Sequence, residues 1–296
     1  MTKNIKFPVI GIIGGSGLYE IEGLTNKRTE SITSPFGNPS ADLMFGEIDG
    51  QRLVFLPRHG VGHTLSPSEI NYRANIDALK RAGVTEIISI SAVGSLREHL
   101  KPGMFVIVDQ FIDRTSQRKS TFFNDGCVAH VSMAHPVCAR LGPHLYAAAI
   151  ITGIEVIQGG TYLAMEGPQF STLAESELYR SWNCDVIGMT NMPEAKLARE
   201  AEICYASVAM VTDFDCWHPN HDDVTVEKII KVLMGNAASA CSLISNVVPL
   251  LGQDHHSHSC ACHFSLENAI ITSPDKRNPD VLRMLDAVAG RVLLPK

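Results

Sequence analysis

Apolar runs typical of buried strands alternate with helical stripes along most of this chain. Strands are predicted at residues 9–13, 43–48, 52–57, 86–91, 104–111, 160–165, 185–189 and 205–212. Apolar side chains that recur every three to four residues predict helices that begin near Tyr72, Val137 and Val226. Helix-start residues predict two more, near Thr172 and Pro193. Strands that alternate with helices in this way predict a single α/β domain built around one sheet.

Two local signals fix particular connections. Asp49-Gly50 separates two strand-like runs, which predicts a β-hairpin. Thr172 and Glu175 have the spacing of a capping box, which predicts the start of a helix. At residue 253 the alternation of apolar strands and helices gives way to a segment rich in His, Ser, Cys, Asn and Pro. We therefore expect an α/β domain over residues 1–252 and a tail over residues 253–296, with a His/Cys-rich loop and a terminal amphipathic helix.

Charge and composition exclude several classes of protein. Lys and Arg number 25 against 31 Asp and Glu, a net charge of −6, whereas a nucleic-acid-binding protein needs a basic face. The hydrophobic fraction of 45% and charged fraction of 19% are typical of a globular protein. No run of about 18 apolar residues stands out, and no signal peptide precedes the first strand. We therefore expect a cytoplasmic protein that binds neither nucleic acid nor membrane.

Eight cysteines are too few for a disulfide-stabilised scaffold of this length. Six lie among apolar neighbours and are interpreted as small buried side chains: Cys127, Cys138, Cys184, Cys204, Cys216 and Cys241. Residues 254–263 differ, because four His and two Cys fall within ten positions, a composition that can bind zinc or nickel. The spacing fits no standard zinc finger, so we expect a surface loop or a local pair of thiols at Cys260 and Cys262. A metal-binding or redox protein acting through residues 255–263 stays as the non-enzymatic alternative.

Three segments that follow predicted strands are candidates for an anion site. Gly14 begins a Gly-Gly-Ser-Gly loop that lacks both the P-loop lysine and the third glycine of the dinucleotide fingerprint. Arg58 and His59 follow the second hairpin strand, and a guanidinium offers forked donors that match phosphate. Ser91 begins a third small-residue loop, over residues 91–95. Ligands of open α/β sheets bind beyond the carboxyl ends of strands, so these segments are expected to converge.

Asp213 and Asp215 close the last predicted strand. Alternate residues of a strand point the same way, so both carboxyl groups are expected to face one ligand. Two neighbouring carboxyl groups resist ionising together, so the pair offers one proton donor and one acceptor. That set matches the Hoogsteen edge of adenine, where N7 accepts and the N6 amino group donates. A metal site or a solvated strand end are the alternatives, and no further metal ligand has a recognisable spacing.

Together these residues give the chain a specific resemblance to the nucleoside phosphorylase family of trimeric purine enzymes. The resemblance runs from Val9 to Leu251, in blocks that begin at Gly14, Arg58, Asn71, Ala92, Asp109, Glu166, Met189 and Asp213. It implies a twisted mixed β-sheet flanked by helices. It also implies that phosphate, as a co-substrate, is held by Ser16, Arg58, His59, Ser91, Ala92 and Thr190.

The same resemblance implies how a nucleoside is bound. The implied contacts are Met189 with the ribose, Phe170 and the adjacent Ser171 with the sugar and base, Asp213 and Asp215 with adenine, and Val226 with an apolar 5′ group. His130 matches a residue that reaches the neighbouring subunit's site.

The implied reaction is reversible phosphorolysis of 5′-methylthioadenosine, with Asp213 as the acid at N7 and no metal or organic cofactor. A homotrimer or a dimer of trimers is implied as well. The alternatives are a preference for 5′-deoxyadenosine, a broader purine nucleoside phosphorylase, and a nucleosidase that uses water.

Overall fold

A computed structural model describes residues 8–15, 18, 21–219, 226–254 and 259–293. The strands within these ranges are β1 (Ile10–Gly14), β2 (Thr25–Glu30), β3 (Leu43–Ile48), β4 (Gln51–Pro57), β5 (Glu86–Ser95), β6 (Phe105–Val108), β7 (Gln110–Asp113), β8 (Val156–Gln158), β9 (Thr161–Ala164), β10 (Val186–Gly188) and β11 (Cys204–Asp213). The helices are α1 (Tyr72–Arg81), α2 (Leu141–Ile151), α3 (Leu173–Ser181), α4 (Asn191–Glu200), α5 (Val226–Gly252), α6 (Pro279–Met284) and α7 (Asp286–Leu293).

All the described strands belong to one mixed sheet. Its main path runs β2-β3-β4-β1-β5-β10-β9-β7, while β11 joins β5 to β6, and β8 extends from β6. Strand β5 is central, because it pairs in parallel with β1 and β11 and in antiparallel fashion with β10 at its far end. The predicted α/β domain with a mixed sheet flanked by helices is confirmed.

The two faces of the sheet are covered by different helices. Alternate residues of β1 go to opposite faces, Ile12 into one apolar cluster and Ile13 into the other, as the period of a strand requires. Helices α1 and α4 pack into the cluster that contains Ile13, and α2 and α5 pack into the cluster that contains Ile12. The middle of the sheet is therefore buried on both faces, which leaves the strand ends as places for a polar ligand.

Both local connections are confirmed. In the hairpin between β3 and β4, Asp49 has φ of +50° and Gly50 has φ of +78°, the positive angles that a two-residue type I′ turn requires. At the start of α3, Thr172 Oγ1 accepts from the backbone N–H of Glu175, whose carboxylate accepts from the backbone N–H of Thr172. The capping box therefore forms as its spacing predicted.

The strand that was expected to end at Ser91 continues. Strand β5 runs on to Ser95, because Ala92 and Val93 pair with Met210 and Val211 of β11. The predicted loop over residues 91–95 is wrong, because these residues belong to a strand that pairs with β11 and, at Gly94 and Ser95, with β10. Strands β2 and β8 escaped the sequence pattern, since both have largely exposed or half-buried side chains that lack an apolar run.

The tail packs onto the rest of the chain. Instead of one terminal helix it forms the short helices α6 and α7, separated at Leu285. Leu266, Val281, Leu285 and Val288 are buried in the same cluster as α1 and α4. The division between residues 1–252 and 253–296 stays a prediction about domains, but the tail contributes to the common core.

One described helix is long and apolar enough to cross a membrane. The segment Met234–Gly252 of α5 passes by length and composition, although the sequence had suggested no such stretch. Its Leu243, Ile244 and Val247 are fully buried against the sheet. A core helix meets the same criterion, so this segment is weak grounds for a membrane span.

Candidate active site

The ends of β1 and β4 lie beside the middle of β5. The register sets Gly14 of β1 beside Pro57 of β4, and Ile13 beside Ser89 of β5. The residues that follow on each strand, Gly15, Arg58 and Ser91, therefore come next to one another. The backbone N–H of Arg58 donates to the Gly14 carbonyl at 2.9 Å, which holds the two connections together. The predicted convergence is thus observed, although Ser91 lies within a strand.

Arg58 is buried and paired with a carboxylate that the sequence analysis had given no role. Its side chain donates to Glu194 at 2.8 Å through Nε and at 3.3 Å through Nη2, and to the Ile90 carbonyl through Nη1. Burial works to lower the pKa of Arg58, but the neighbouring Glu194 carboxylate outweighs it and raises the pKa. Nη2 also reaches Ser89 Oγ, so four of the five N–H groups of Arg58 are engaged. The forked face of Arg58 that was expected to bind phosphate binds Glu194 instead, and one N–H of Nη1 has no hydrogen-bond partner among the described residues.

The Glu194 carboxylate accepts hydrogen bonds from three residues. Besides Arg58, it accepts from Ser89 Oγ at 2.6 Å and from the Tyr205 hydroxyl at 2.9 Å. The only signal in the sequence was its place in the block that begins at Met189, at the start of a predicted helix. Because its partners come from β4, β5 and β11, only the tertiary structure reveals its role in fixing Arg58.

His59 lies half-buried beside this pair. Burial lowers its pKa to about 4, with the positive charge of Arg58 acting in the same direction. Nδ1 lies 2.9 Å from the Leu65 carbonyl, and the ring stacks on His63 with centroids 4.2 Å apart. In the neutral ring Nδ1 carries the proton, because the carbonyl can only accept, so Nε2 is left as an acceptor. That nitrogen can accept a hydrogen bond from a protonated phosphate oxygen.

Ser91 and Thr190 face a common buried hydroxyl. Tyr162 lies beside both residues and is fully buried, and burial raises its pKa. Ser91 Oγ is buried and makes no hydrogen bond of ordinary geometry with the described residues. Thr190 precedes α4 without capping it. An unsatisfied buried hydroxyl costs about 1–3 kcal/mol, which a bound oxyanion would relieve.

Two other members of the predicted phosphate site add less. Ala92 is half-buried and its backbone lies in the β5–β11 ladder. Ser16 lies outside the described residues. Of the predicted phosphate-site residues, the structure therefore places Arg58, His59, Ser91 and Thr190 near the ends of β1 and β4 and the start of α4.

The carboxyl pair lies at the end of β11, beside Gly94 of β5. Gly94 is three residues beyond Ser91, about 10 Å at roughly 3.3 Å per residue. Asp213 pairs with Gly94 at the end of β11, after a register shift that follows Val211. Its Oδ1 accepts from the backbone N–H of Asp215 at 2.8 Å, and its Oδ2 accepts from Thr212 Oγ1 at 2.7 Å. Burial is the main cause that raises the pKa of Asp213 and of Asp215, and the Asp213 charge raises that of Asp215 further.

The reason given for this pair was wrong, although the pair itself forms. Asp215 is not a strand residue: it lies in a turn with φ of +53°, so the alternation of side chains along a strand does not apply. The two carboxyl groups are linked by a local turn, in which the backbone of Asp215 serves the side chain of Asp213. The turn gives the same result, a half-buried Asp213 and a buried Asp215 whose carboxyl groups both have a raised pKa at one strand end.

A tight approach and an aromatic cluster hold this turn. A side chain at Gly94 would put its Cβ 3.0 Å from Asp213 Oδ1 and 3.4 Å from Asp215 Cβ, so it would displace the carboxyl pair by a few tenths of an ångström. Trp217 donates from Nε1 to the Ser95 carbonyl at 2.7 Å, and the Arg180 guanidinium lies 3.6 Å from its ring centre. These contacts fix the turn to β5, the strand that also carries Ser91.

Arg118 organises the predicted sugar-binding segments, and the sequence analysis missed it. Its buried guanidinium donates to the carbonyls of Glu166 and Met192, each at 2.7 Å, and also to the Met189 carbonyl. It thereby joins the segment that leads to Phe170 with the segment that leads into α4. A lone arginine in a segment without apolar periodicity gives no signal in the sequence.

The remaining residues predicted to contact the nucleoside differ in how buried they are. Met189 is half-buried and packs against Gly167, where a Cβ would meet its Sδ at 2.5 Å. Ser171 is buried and Phe170 is 44% exposed in the single chain. His130 is exposed, and its backbone N–H donates to the Ala269 carbonyl. Val226 is the first residue of α5, and its side chain lies outside what the structure describes.

Comparison with known proteins places this site in a family. A family described as the phosphorylase superfamily matches residues 9–249, which span β1 to α5 and every strand end discussed above. The chain belongs to the phosphorylase superfamily. The resemblance carried by the sequence motifs is therefore confirmed, and the anion site and the carboxyl pair lie inside the region that this superfamily shares.

Individual members of the phosphorylase superfamily are similar over nearly their whole length. A protein of Rhodospirillum rubrum named S-methyl-5′-thioadenosine phosphorylase is 60% identical, covering 99% of this chain and 100% of the relative. A solved methylthioadenosine phosphorylase from an antarctic soil metagenomic library has a TM-score of 0.91 at 50% identity, covering 98% of this chain and all of its own. One from Schistosoma mansoni, in complex with adenine, has a TM-score of 0.82 at 36% identity, covering 89% of this chain and 99% of its own.

Proposed function

We propose that this chain catalyses the reversible phosphorolysis of 5′-methylthioadenosine to adenine and 5-methylthioribose 1-phosphate. The observation that carries the proposal is the carboxyl pair Asp213 and Asp215, whose pKa values are raised. The pair lies beside β5, the strand that also contains Ser91 of the candidate anion site. The relatives named as methylthioadenosine phosphorylases support the nucleoside, and the Schistosoma mansoni enzyme binds adenine.

Phosphate is already an anion, so the reaction needs positioning and charge rather than a base. Arg58 supplies fixed positive charge and one N–H, while Ser91 and Thr190 supply hydroxyls. Positive charge grows on the ribose as the bond to adenine breaks, and the phosphate held below it stabilises that charge. The paired Glu194 keeps Arg58 rigid, which limits the reorganisation needed when phosphate binds.

Adenine leaves more readily when N7 is protonated. Asp213, whose pKa is raised by burial, serves as the acid, and Asp215 accepts from the N6 amino group. A 6-oxopurine would set its O6 acceptor against the carboxylate of Asp215, so inosine is a poor substrate. This chemistry uses no metal and no organic cofactor.

The 5′ group distinguishes related substrates. Val226 opens α5, and an apolar side chain there favours a methylthio or methyl group over a 5′-hydroxyl, which would lose its hydrogen-bond partner. We therefore expect 5′-deoxyadenosine to react as well, and adenosine to react more slowly.

The working molecule in this proposal is a trimer or a dimer of trimers. Apolar side chains beside the site are open in the single chain: Phe170 is 44% exposed, Leu173 53% and Trp182 40%. Patches of this kind at a site typically mark an interface. Light scattering is expected to give three or six times the chain mass of 32.2 kDa, with one chain mass contradicting it.

The deciding experiment measures adenine release from 5′-methylthioadenosine with and without phosphate, with 5′-deoxyadenosine, adenosine and inosine in parallel. Strict phosphate dependence together with 5-methylthioribose 1-phosphate as product is the expected result. Release without phosphate identifies a nucleosidase and overturns the role of the anion site. A preference for inosine overturns the roles of Asp213 and Asp215.

A further inference from the structure

Four cysteines that are far apart in the sequence meet at the end of the sheet opposite the carboxyl pair. Cys138 precedes α2 and Cys204 is the first residue of β11, whereas Cys260 and Cys262 flank the start of a 3-10 helix (Ala261–Phe264) in the tail. Their Sγ atoms all lie within 4.8 Å of one another. Cys138 and Cys204 are buried as expected, but they are part of a cluster rather than isolated apolar side chains.

The spacing of the sulfur atoms suits coordination of a shared ion. Zn–S bonds of about 2.3 Å at tetrahedral angles place neighbouring sulfurs about 3.8 Å apart. Cys138 Sγ and Cys260 Sγ are 3.6 Å apart, well beyond the ~2.05 Å of a disulfide. All four residues carry free thiols. The sequence spacing had argued against a metal, but it counted only the two tail cysteines.

The surroundings suit a negatively charged centre. The Arg140 guanidinium lies 3.9 Å from Cys204 Sγ and also pairs with two carboxylates, those of Glu86 and, at 2.7 Å, Asp254. His263 Nε2 lies 3.7 Å from the same sulfur, and its Nδ1 lies 3.1 Å from the Glu202 carbonyl. Positive charge and a ring nitrogen beside the sulfur are what outer partners of a thiolate–metal site provide.

We propose that Cys138, Cys204, Cys260 and Cys262 bind one thiophilic divalent metal ion, for which Zn²⁺ is the best chemical match. Four thiolates fill a tetrahedral shell, so the site is structural and has no open position for a substrate. Binding releases the thiol protons and leaves a centre of net charge −2, beside Arg140. The ion connects the tail to the first residue of β11.

This site is separate from the proposed chemistry. Cys204 and Asp213 are the two ends of β11, about 30 Å apart at roughly 3.3 Å per residue. The metal therefore stabilises the docking of the tail and takes no part in bond breaking.

The test uses the full chain, produced in medium that contains zinc and iron and purified with a reductant and no chelator. Elemental analysis is expected to give about one zinc ion per chain. Cys260→Ser is expected to lose that metal, while Cys241→Ser, on α5 outside the cluster, keeps it. Because Cys260→Ser retains every histidine of the tail, metal that persists in this variant overturns the proposal. Iron with the same dependence on Cys260 supports the site and identifies the bound metal as iron.

A second measurement decides the case even if Cys260→Ser does not fold. Metal-stripped wild-type protein is titrated with Co²⁺, and a thiolate-to-cobalt charge-transfer absorption that saturates at one equivalent is expected. Intact-mass analysis of alkylated protein runs alongside. Two results overturn the proposal. One is metal-free protein whose mass shows disulfides within the cluster, at a loss of two hydrogens for each. The other is protein with four free thiols in the cluster and no cobalt absorption.

Discussion

Replacing Asp213 with Asn removes a transferable proton while keeping the shape of the site. Asn can keep its oxygen toward the backbone N–H of Asp215 and turn its amide toward Thr212 Oγ1, which then accepts instead of donating. The turn is therefore expected to survive. What Asn cannot do is deliver a proton to N7 as adenine leaves.

The size of the effect follows from the role. A general acid contributes roughly 10²- to 10⁴-fold, which corresponds to about 3–5 kcal/mol in the barrier. We expect the kcat of Asp213→Asn to fall within that range, with the dissociation constant of phosphate unchanged. Turnover of 5′-methylthioadenosine is followed by adenine release, and phosphate binding is measured separately by calorimetry.

The pH dependence gives an independent check. Asp213 acts in its protonated form, so the kcat of the wild type falls as pH rises through the raised pKa of this residue. Asp213→Asn is expected to lack that descending limb. A carboxyl with a raised pKa in the folded state favours folding at low pH and loses that contribution as pH rises, so the variant is also expected to be no less stable than the wild type at pH 7.

Asp215→Asn is the matched comparison, because its amide oxygen can still accept from the N6 amino group. Its main effect is expected on KM, with a smaller loss in kcat than Asp213→Asn. Near-normal turnover by Asp213→Asn, or a lower melting temperature that accounts for its loss of activity, would refute the reasoning.

Two further substitutions test the supports of the site. Glu194→Gln leaves the buried charge of Arg58 without its counter-ion and is expected to cost about 3 kcal/mol in unfolding free energy, measured by denaturant at matched protein concentration; a loss below about 0.5 kcal/mol contradicts the pairing. Gly94→Ala forces a Cβ to within 3.0 Å of Asp213 Oδ1 and is expected to lower kcat/KM by about 10²-fold, whereas Gly235→Ala, whose Cβ meets nothing, serves as the control. Equal kcat/KM values for the two alanine variants would show that the close approach at Gly94 does not position the carboxyl pair.

Local sequence signals made part of the fold predictable. Positive φ at Asp49 and Gly50 follows from the residue types of a tight hairpin, and the Thr172 capping box follows from its spacing. The roles of Glu194 and Arg118 could not be predicted, because Glu194 pairs with Arg58 and Arg118 binds the Glu166 carbonyl, in each case more than 40 residues away in the sequence. A charged residue without periodic neighbours gives no indication in the sequence of the partner it meets.

The sequence by itself determined the α/β class and the order of the main elements, because apolar periodicity and turn residues act over a few positions. Only the tertiary structure decided how distant residues meet. In the folded chain the guanidinium of Arg58 pairs with Glu194, and Asp215 lies in a turn where a strand was expected. Cys138 and Cys204 lie beside two cysteines of the tail. These outcomes depend on strand register and on the docking of the tail, which are settled by packing across the whole sheet rather than by any local pattern.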